Sequence, residues 1–325
     1  MLRRSRAVGT PKAAGKRSPV ARLGKVAGLV SLIALGATGC STDEVLRFGW
    51  PEGITPQANR MREFWTWSVV AALIIGVITW ALILWPVVAH RKRGETLPKQ
   101  FQYNHFLEWI YTGIPVVIVV VLFYFTATTQ NYVQAETDNP DVTVDVLAFQ
   151  WNWEFDYVGY RNGGAEQKPA APGDTTVRTI GSSAEIPLLV LPTGRTIEYK
   201  LHSRDVIHSF FVPEFLFKRD VFPRPEKNDQ DSTFQNRIDK QGSFVGRCAE
   251  LCGTYHSAMN FEVRAISPDL FDQYLKLRTQ TNPDTGKGYT AAEALTKMNC
   301  GDLCSPTAVT TKPFNTDRTA RTATK

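Results

Sequence analysis

Between Cys248 and Met259 the chain reads C-A-E-L-C-G-T-Y-H-S-A-M, so Cys248, Glu250, Cys252, His256 and Met259 fall within twelve residues. Thiolate, imidazole and thioether donors together select a soft metal, with copper foremost. A mononuclear blue-copper loop needs a single Cys with His and a weak axial Met. Here two Cys lie four apart, so both sulfurs can turn into one loop interior and bridge two coppers, each capped by one His and one weak ligand. That arrangement needs a second His. The chain has five, of which His90 and His105 flank long apolar runs. His202 and His208 remain, and His208 sits in S-R-D-V-I-H-S-F, whose apolar and aromatic residues read as a strand end. Two other chemistries use the same residues. Two Cys and two His also form a closed structural zinc set, although C-x3-C-x3-H with the other His forty residues upstream is not a common zinc-finger spacing and leaves Met259 without a use. A Cys248–Cys252 disulfide suits an oxidising compartment.

Ser203, Asp205, Val206, His208 and Ser209, followed by Cys248, Glu250, Cys252, Gly253, His256 and Met259, resemble subunit II of the haem–copper cytochrome c oxidases. The resemblance implies a binuclear copper centre, CuA, with His208 and His256 as imidazole ligands and Cys248 and Cys252 as bridging thiolates. It further implies Met259 as the weak ligand of one copper and the Glu250 backbone carbonyl as that of the other. The Glu250 carboxylate would help hold a Mg2+ ion shared with subunit I, and His202 is left as an ordinary strand residue. The implied partners are subunit I, which carries the haems and the third copper (CuB), subunit III, and a cytochrome c, free or membrane-tethered. A supercomplex with a cytochrome bc-type complex belongs to the same set.

The elements that must position these residues begin with a membrane anchor. The chain has 325 residues and a formal charge of +6. Eight of its 37 Lys and Arg, and none of its 31 acids, lie in residues 1–39, so from Cys40 onward acids outnumber bases by two. The positive excess is therefore N-terminal, and no basic face for nucleic acid follows from it. Residues 1–39 read as a signal peptide: a basic stretch to Lys25, then an apolar run from Val26 to Thr38 too short to span a bilayer core of ~30 Å. A-T-G-C ends it as at a bacterial lipoprotein cleavage site, which makes Cys40 the expected lipidation point; an uncleaved segment is the alternative, since Ala37 stands where such sites usually carry Leu. Residues 40–63 lead into two spans, 64–89 and 107–128, which carry no charge over 64–89 and 109–127. The intervening 90–106 loop holds Arg91, Lys92, Arg93 and Lys99 against only Glu95 and should face the cytoplasm. The rest of the chain then lies outside the bacterial plasma membrane, on the side where a lipidated Cys40 must also lie.

From Asp141 the pattern changes to short alternating and apolar runs such as V-T-V-D-V-L-A-F, I-P-L-L-V-L and T-I-E-Y-K-L-H, which predict strands. The fold class expected is a membrane-anchored all-β chain: a two-helix transmembrane hairpin, then a β-domain over 141–270, and a C-terminal extension over 271–325. The family implies a cupredoxin-like Greek-key barrel for that domain. Arg161–Thr176 and Pro223–Asp231 read as exposed insertions. In Q-W-N-W-E-F-D-Y, alternation puts Trp151, Trp153, Phe155 and Tyr157 on one strand face, an arrangement as suited to core as to function. By resemblance Trp151 is where electrons from cytochrome c come in, while Glu154 and Asp156 on the opposite face would add acidic character. Glu108 opens the second span in E-W-I-Y-T-G-I-P, similar to the family's E-x-x-W-T-x-x-P with Tyr111 in place of Trp. A boundary carboxylate is ordinarily solvated, but the resemblance makes Glu108 the entrance of a proton path in subunit I. By resemblance Lys218, Asp220 and Arg224 lie where the family keeps polar contacts to subunit I; as residues they read as structural ion pairs. In the extension, Ala291–Met298 reads as a short helix, the tail after Ser305 as extended or wrapped on a neighbour, and Cys300 and Cys304 as a disulfide pair. Their C-x3-C spacing is not the C-x-x-C-H of a covalent haem.

The function expected is electron transfer from cytochrome c to subunit I of a respiratory oxidase, where O2 is reduced to water with proton translocation. A CuA-type domain of another terminal reductase and a metal-free quinol-oxidase or structural lipoprotein are the competing classes. The intact donor set opposes the last. Because Cys248 and Cys252 must be reduced to bind metal yet mature in an oxidising space, a thiol reductant or copper chaperone is also expected.

Overall fold

The computed structural model describes residues 41–92, 94, 95, 99–158, 177–227 and 229–312. The signal segment, Cys40, Arg93 and the expected insertion over Arg161–Thr176 lie outside these. The chain divides into two units at Gly49. Within the first, the described element is α1 (Thr42–Leu46), capped by the Ser41 hydroxyl, which accepts from the Glu44 N–H at 3.1 Å.

The second unit opens with two long helices, α2 (Pro56–Ala89) and α3 (His105–Val133). The Thr55 hydroxyl accepts from the Ala58 N–H at 3.0 Å, and Pro56 occupies the first helical position, where its missing N–H costs nothing. Asn104 caps α3 likewise, through Leu107 N–H. A long apolar stretch runs through each helix with none of its residues buried inside the protein, as a lipid-facing surface requires. Both helices outrun the charge-free stretches seen in the sequence. α2 starts eight residues earlier, in a polar turn whose Ala58 is buried; α3 continues to Val133, and Thr129 and Val133 are buried near its end. Apolarity marks only the lipid-facing length, so the polar turns that dock the helices on the β-domain leave no hydropathy signal.

Among the described residues, ten strands follow in two five-stranded sheets. The first contains β1 (Val142–Phe149), β2 (Asn152–Val158), β3 (Val177–Ile180), β5 (Thr196–Ser203) and β8 (Thr233–Arg237), in the order β3-β2-β1-β5-β8. The second contains β4 (Leu188–Pro192), β6 (His208–Val212), β7 (Phe217–Val221), β9 (Gly242–Cys248) and β10 (Asn260–Ile266), in the order β4-β10-β9-β6-β7. Only β1–β5 and β4–β10 pair in parallel. The architecture is thus two apolar helices followed by a curled, partly closed β-structure.

An aromatic core joins the sheets. Phe261 meets Trp153, Phe155 and Phe210 at centroid distances of 5.2, 5.4 and 4.7 Å, and Tyr199 stacks on Phe234 at 4.4 Å. Each such fully buried ring contributes about 1.5–3 kcal/mol. Gly246 on β9 makes room for this packing, since a Cβ there would lie 2.1 Å from the Phe261 ring. The buried Tyr157 hydroxyl donates to Val190 O at 2.8 Å and accepts from Val190 N–H at 2.9 Å, tying β2 to β4 without an unsatisfied polar atom.

The C-terminal extension folds back on this domain. It carries α4 (Pro268–Arg278), which the sequence reading did not isolate, and α5 (Ala291–Met298), the short helix expected there, with a capping box between Thr290 and Glu293. Cys300 and Cys304 are joined by a disulfide. The following residues lie on β10 of the same chain. There the fully buried Arg264 guanidinium donates to the carbonyls of Leu303, Ser305 and Thr307, while the equally buried Glu262, paired with Arg264, accepts from the N–H groups of Val309 and Thr310.

Candidate metal centre

The donors come from three places that sheet pairing brings together. His208 opens β6 and Cys248 closes β9, and the register sets Phe210 opposite Cys248. The eleven-residue loop from Ala249 to Met259 joins β9 to β10. It is pinched shut by Cys248 N–H donating to Met259 O at 3.1 Å and tied to β6 by Ala249 N–H donating to Ser209 O at 3.0 Å. A short 3-10 turn, His256–Ala258, brings the chain back, so that His256 and Met259 face the two Cys.

At the centre the Cys248 and Cys252 sulfurs stand 3.7 Å apart, both buried. A disulfide would need about 2.05 Å, so these are thiols. Around Cys248 lie His208 Nδ1 at 3.8 Å and the Glu250 carbonyl at 3.2 Å; around Cys252 lie His256 Nδ1 at 3.6 Å and Met259 Sδ at 3.8 Å. The ligand atoms of His208, Cys248 and Cys252 all fall within 4.8 Å of one another. Two central sulfurs flanked by two imidazoles, a thioether and a carbonyl are a soft, closed donor set, with Met259 part of it. A zinc tetrad would leave Met259 unused.

The supporting groups fix the ligands. His208 Nε2 meets Asp205 Oδ1 at 2.8 Å, leaving Nδ1 toward the sulfurs, the carboxylate–imidazole support seen behind metal-binding His. Burial alone would depress the His208 pKa, but hydrogen bonds to Cys248 and Asp205 outweigh it and raise it. Burial also works against the Asp205 carboxylate. The hydrogen bonds from His208 and from the N–H groups of Gln150 and Val206 prevail and hold its pKa low. The two thiols titrate as one unit. Donation from Cys252, aided by His208, pulls the first ionisation at Cys248 down; the resulting thiolate, together with burial, pushes Cys252 up.

Other sequence-derived positions fall elsewhere. Trp151 is not on a strand: it sits in the turn between β1 and β2, while Trp153, Phe155 and Tyr157 alternate into the core. Its indole Nε1–H donates to the Cys252 carbonyl at 3.1 Å. The acidic face expected from Glu154 and Asp156 is absent, because Glu154 is buried against Arg178 and Arg204, and Asp156 pairs with Arg178. His202 lies exposed on β5. Lys218 and Asp220 pair at 3.2 Å on β7. Glu108 lies in the first turn of α3, accepting from Asn104 N–H at 3.0 Å and meeting the His105 ring at 3.2 Å. Sequence reasoning missed the roles of Gln150, Asp205 and Tyr255 at the site. Only Asp205 carried a signal, a carboxylate three residues before a ligand His.

Fold and site define a β-domain behind two helices long and apolar enough to span a membrane, with a buried Cys/His cluster that could hold a metal. Residues 142–266 match the family described as cytochrome C oxidase subunit II, periplasmic domain. The chain is 47% identical, over 366 aligned positions covering 98% of it and 95% of the relative, to a probable cytochrome c oxidase subunit 2 of Nocardia farcinica. It is 44% identical to cytochrome c oxidase subunit 2 of Mycobacterium tuberculosis, over 90% of this chain and 89% of that one. Among solved structures, the periplasmic domain of subunit II of cytochrome oxidase from Bradyrhizobium japonicum aligns at 22% identity and a TM-score of 0.34, over 43% of this chain and 95% of that one. The chain belongs to the cytochrome c oxidase subunit II family. It is therefore the electron-transfer component of a haem–copper oxidase complex, and that family works in association with other oxidase subunits and with cytochrome c.

Proposed function

We propose that the chain binds two copper ions as a CuA centre, accepts electrons from cytochrome c at Trp151, and passes them to the haem and copper of subunit I for reduction of O2 to water. The observation that carries this reading is the pair of buried sulfurs 3.7 Å apart, each with an imidazole nitrogen within 3.8 Å and a weak donor beside it. Cys248 and Cys252 would bridge the metals, His208 and His256 would cap them, and Met259 and the Glu250 carbonyl would supply the weak contacts. When bound, two thiolate-bridged coppers share one unpaired electron, which gives single-electron transfer with little change in bond lengths. The protein's part is rigidity and dryness. β6, β9 and β10 fix three corners of the site, Asp205 locks the His208 ring, and the aromatic core beneath excludes water.

The domain over 141–270 is read as a cupredoxin-like Greek-key barrel, with residues 40–63 and the 271–325 extension also outside the membrane and residues 90–106 in the cytoplasm. Removal of residues 1–39 as a signal peptide and lipidation of Cys40 complete the proposed anchor, alongside spans within 64–89 and 107–128. Glu108, at the cytoplasmic start of α3, serves as the entrance of a proton path completed by subunit I. Mg2+ prefers oxygen ligands, and this chain offers it the Glu250 carboxylate, so subunit I must complete that site. Because two thiols this close oxidise readily to a disulfide, a dedicated thiol reductant or copper chaperone is inferred as an assembly partner. Subunit III and a cytochrome bc-type complex are further proposed partners.

Elemental analysis of the full chain, purified in detergent, reduced and loaded with copper, tests the reading. Two coppers per chain and a purple colour are expected. One zinc in a colourless protein, retained against excess copper, would favour a structural site instead.

A further inference from the structure

The contact between Trp151 and the metal loop is built by residues outside the donor set. Two donors converge on one acceptor: the Trp151 indole N–H at 3.1 Å and the Gln150 side-chain amide at 2.7 Å both reach the carbonyl of Cys252. That carbonyl belongs to a residue whose sulfur lies at the centre of the site, so the indole is joined to the metal loop by one hydrogen bond and a short covalent path. The close approach depends on Gly253. Its φ is +117°, and a Cβ there would lie 3.2 Å from both the Gln150 amide nitrogen and the indole ring. On the other side the indole meets Tyr255, which is only 5% exposed, with ring centroids 4.9 Å apart and planes at 83°, an edge-to-face pair. Tyr255 is itself fixed between ligands: its carbonyl accepts from Ala258 N–H at 2.9 Å, and its chain neighbour is His256.

We propose that Tyr255 is a positioning residue for electron transfer: its ring, packed edge-to-face with the Trp151 indole, fixes that indole on the Cys252 carbonyl and so sets the rate at which an electron reaches the metal loop. The proposal rests on the reading of Trp151 as the electron acceptor and adds the groups that make that acceptor efficient. A partly exposed indole held by a single hydrogen bond would rotate away from the carbonyl. A buried ring packed at right angles to it removes that freedom, and the Gln150 amide keeps the carbonyl in place.

The test uses the assembled oxidase with Tyr255→Leu, Tyr255→Phe and Trp151→Phe. Electron injection is timed from a photoreduced cytochrome c at saturating concentration, alongside steady-state KM and kcat and the EPR spectrum of the copper centre. Tyr255→Leu is expected to leave the EPR spectrum and the KM for cytochrome c unchanged while injection and kcat fall several-fold, and Tyr255→Phe to restore both. A wild-type injection rate in Tyr255→Leu would overturn the proposal, as would a Phe variant as slow as the Leu variant. So would an altered EPR spectrum in Tyr255→Leu, which would make Tyr255 a support of the metal loop instead. Should Tyr255→Leu fail to assemble, Tyr255→His replaces it, with an intermediate rate expected and a wild-type rate contradictory. Trp151→Phe separates the two levels. A slow Trp151→Phe beside a fast Tyr255→Leu removes the positioning role alone, whereas a fast Trp151→Phe removes Trp151 from the path and the proposal with it.

Discussion

Cys248 and Cys252 sit 3.7 Å apart with both imidazoles already facing them. In the proposed centre each sulfur is a bridge, so Cys252→Ser should reduce the bound copper to one or none and abolish any spectrum of an electron shared by two nuclei, as read by EPR. Asp205 acts one step further out. Removing the carboxylate behind a metal-binding His typically costs about 10- to 100-fold in affinity, so Asp205→Ala should weaken copper retention by that factor in a competition against a chelator; unchanged retention would show that the His208 ring needs no such support. The donors were legible because three ligating residue types crowd into twelve positions. Trp151 was expected on a strand and lies instead in the turn before one. Alternation in Q-W-N-W-E-F-D-Y runs unbroken through the hairpin turn, and periodicity does not register that the first Trp precedes the strand. Tyr255 gave no signal, since a Tyr in a loop acquires meaning only from the ring it touches.

The strands that frame the site were mostly visible as period-two or wholly apolar runs: V-T-V-D-V-L-A-F became β1 and I-P-L-L-V-L became β4. β10 shows what such patterns omit. In N-F-E-V-R-A-I the Glu and Arg alternate with core residues, a pattern that ordinarily marks a solvent-facing side, yet Glu262 and Arg264 are fully buried, covered by residues 303–310. The cover is forty residues away in sequence and held largely through its own backbone, so no side-chain pattern announces it. Leaving one member of a buried ion pair alone costs about 3–5 kcal/mol. Arg264→Met should therefore lower the thermal unfolding midpoint of the full chain clearly, and an unchanged midpoint would mean that the extension is only loosely attached. Any soluble fragment made for spectroscopy should run past Thr310 for the same reason. The acidic face expected on β2 failed on similar grounds, because Arg178 and Arg204 reach Glu154 from other segments.

The whole molecule couples a lipid-facing helix pair to a dry redox domain, and each half constrains the other. In the proposed topology the basic loop after α2, with Arg91, Lys92 and Lys99, lies on the cytoplasmic side by the positive-inside rule and the metal loop outside. Protease added to spheroplasts should consequently release the β-domain and leave the loop between α2 and α3 intact; the reverse pattern would invert the topology. All of this depends on one electron being shared between two thiolate-bridged metals. EPR of the copper-loaded full chain measures that most directly. A multi-line hyperfine pattern from one unpaired spin spread over two equivalent copper nuclei is the predicted result, and a four-line pattern from a single copper, or no copper signal in the oxidised protein, would contradict it.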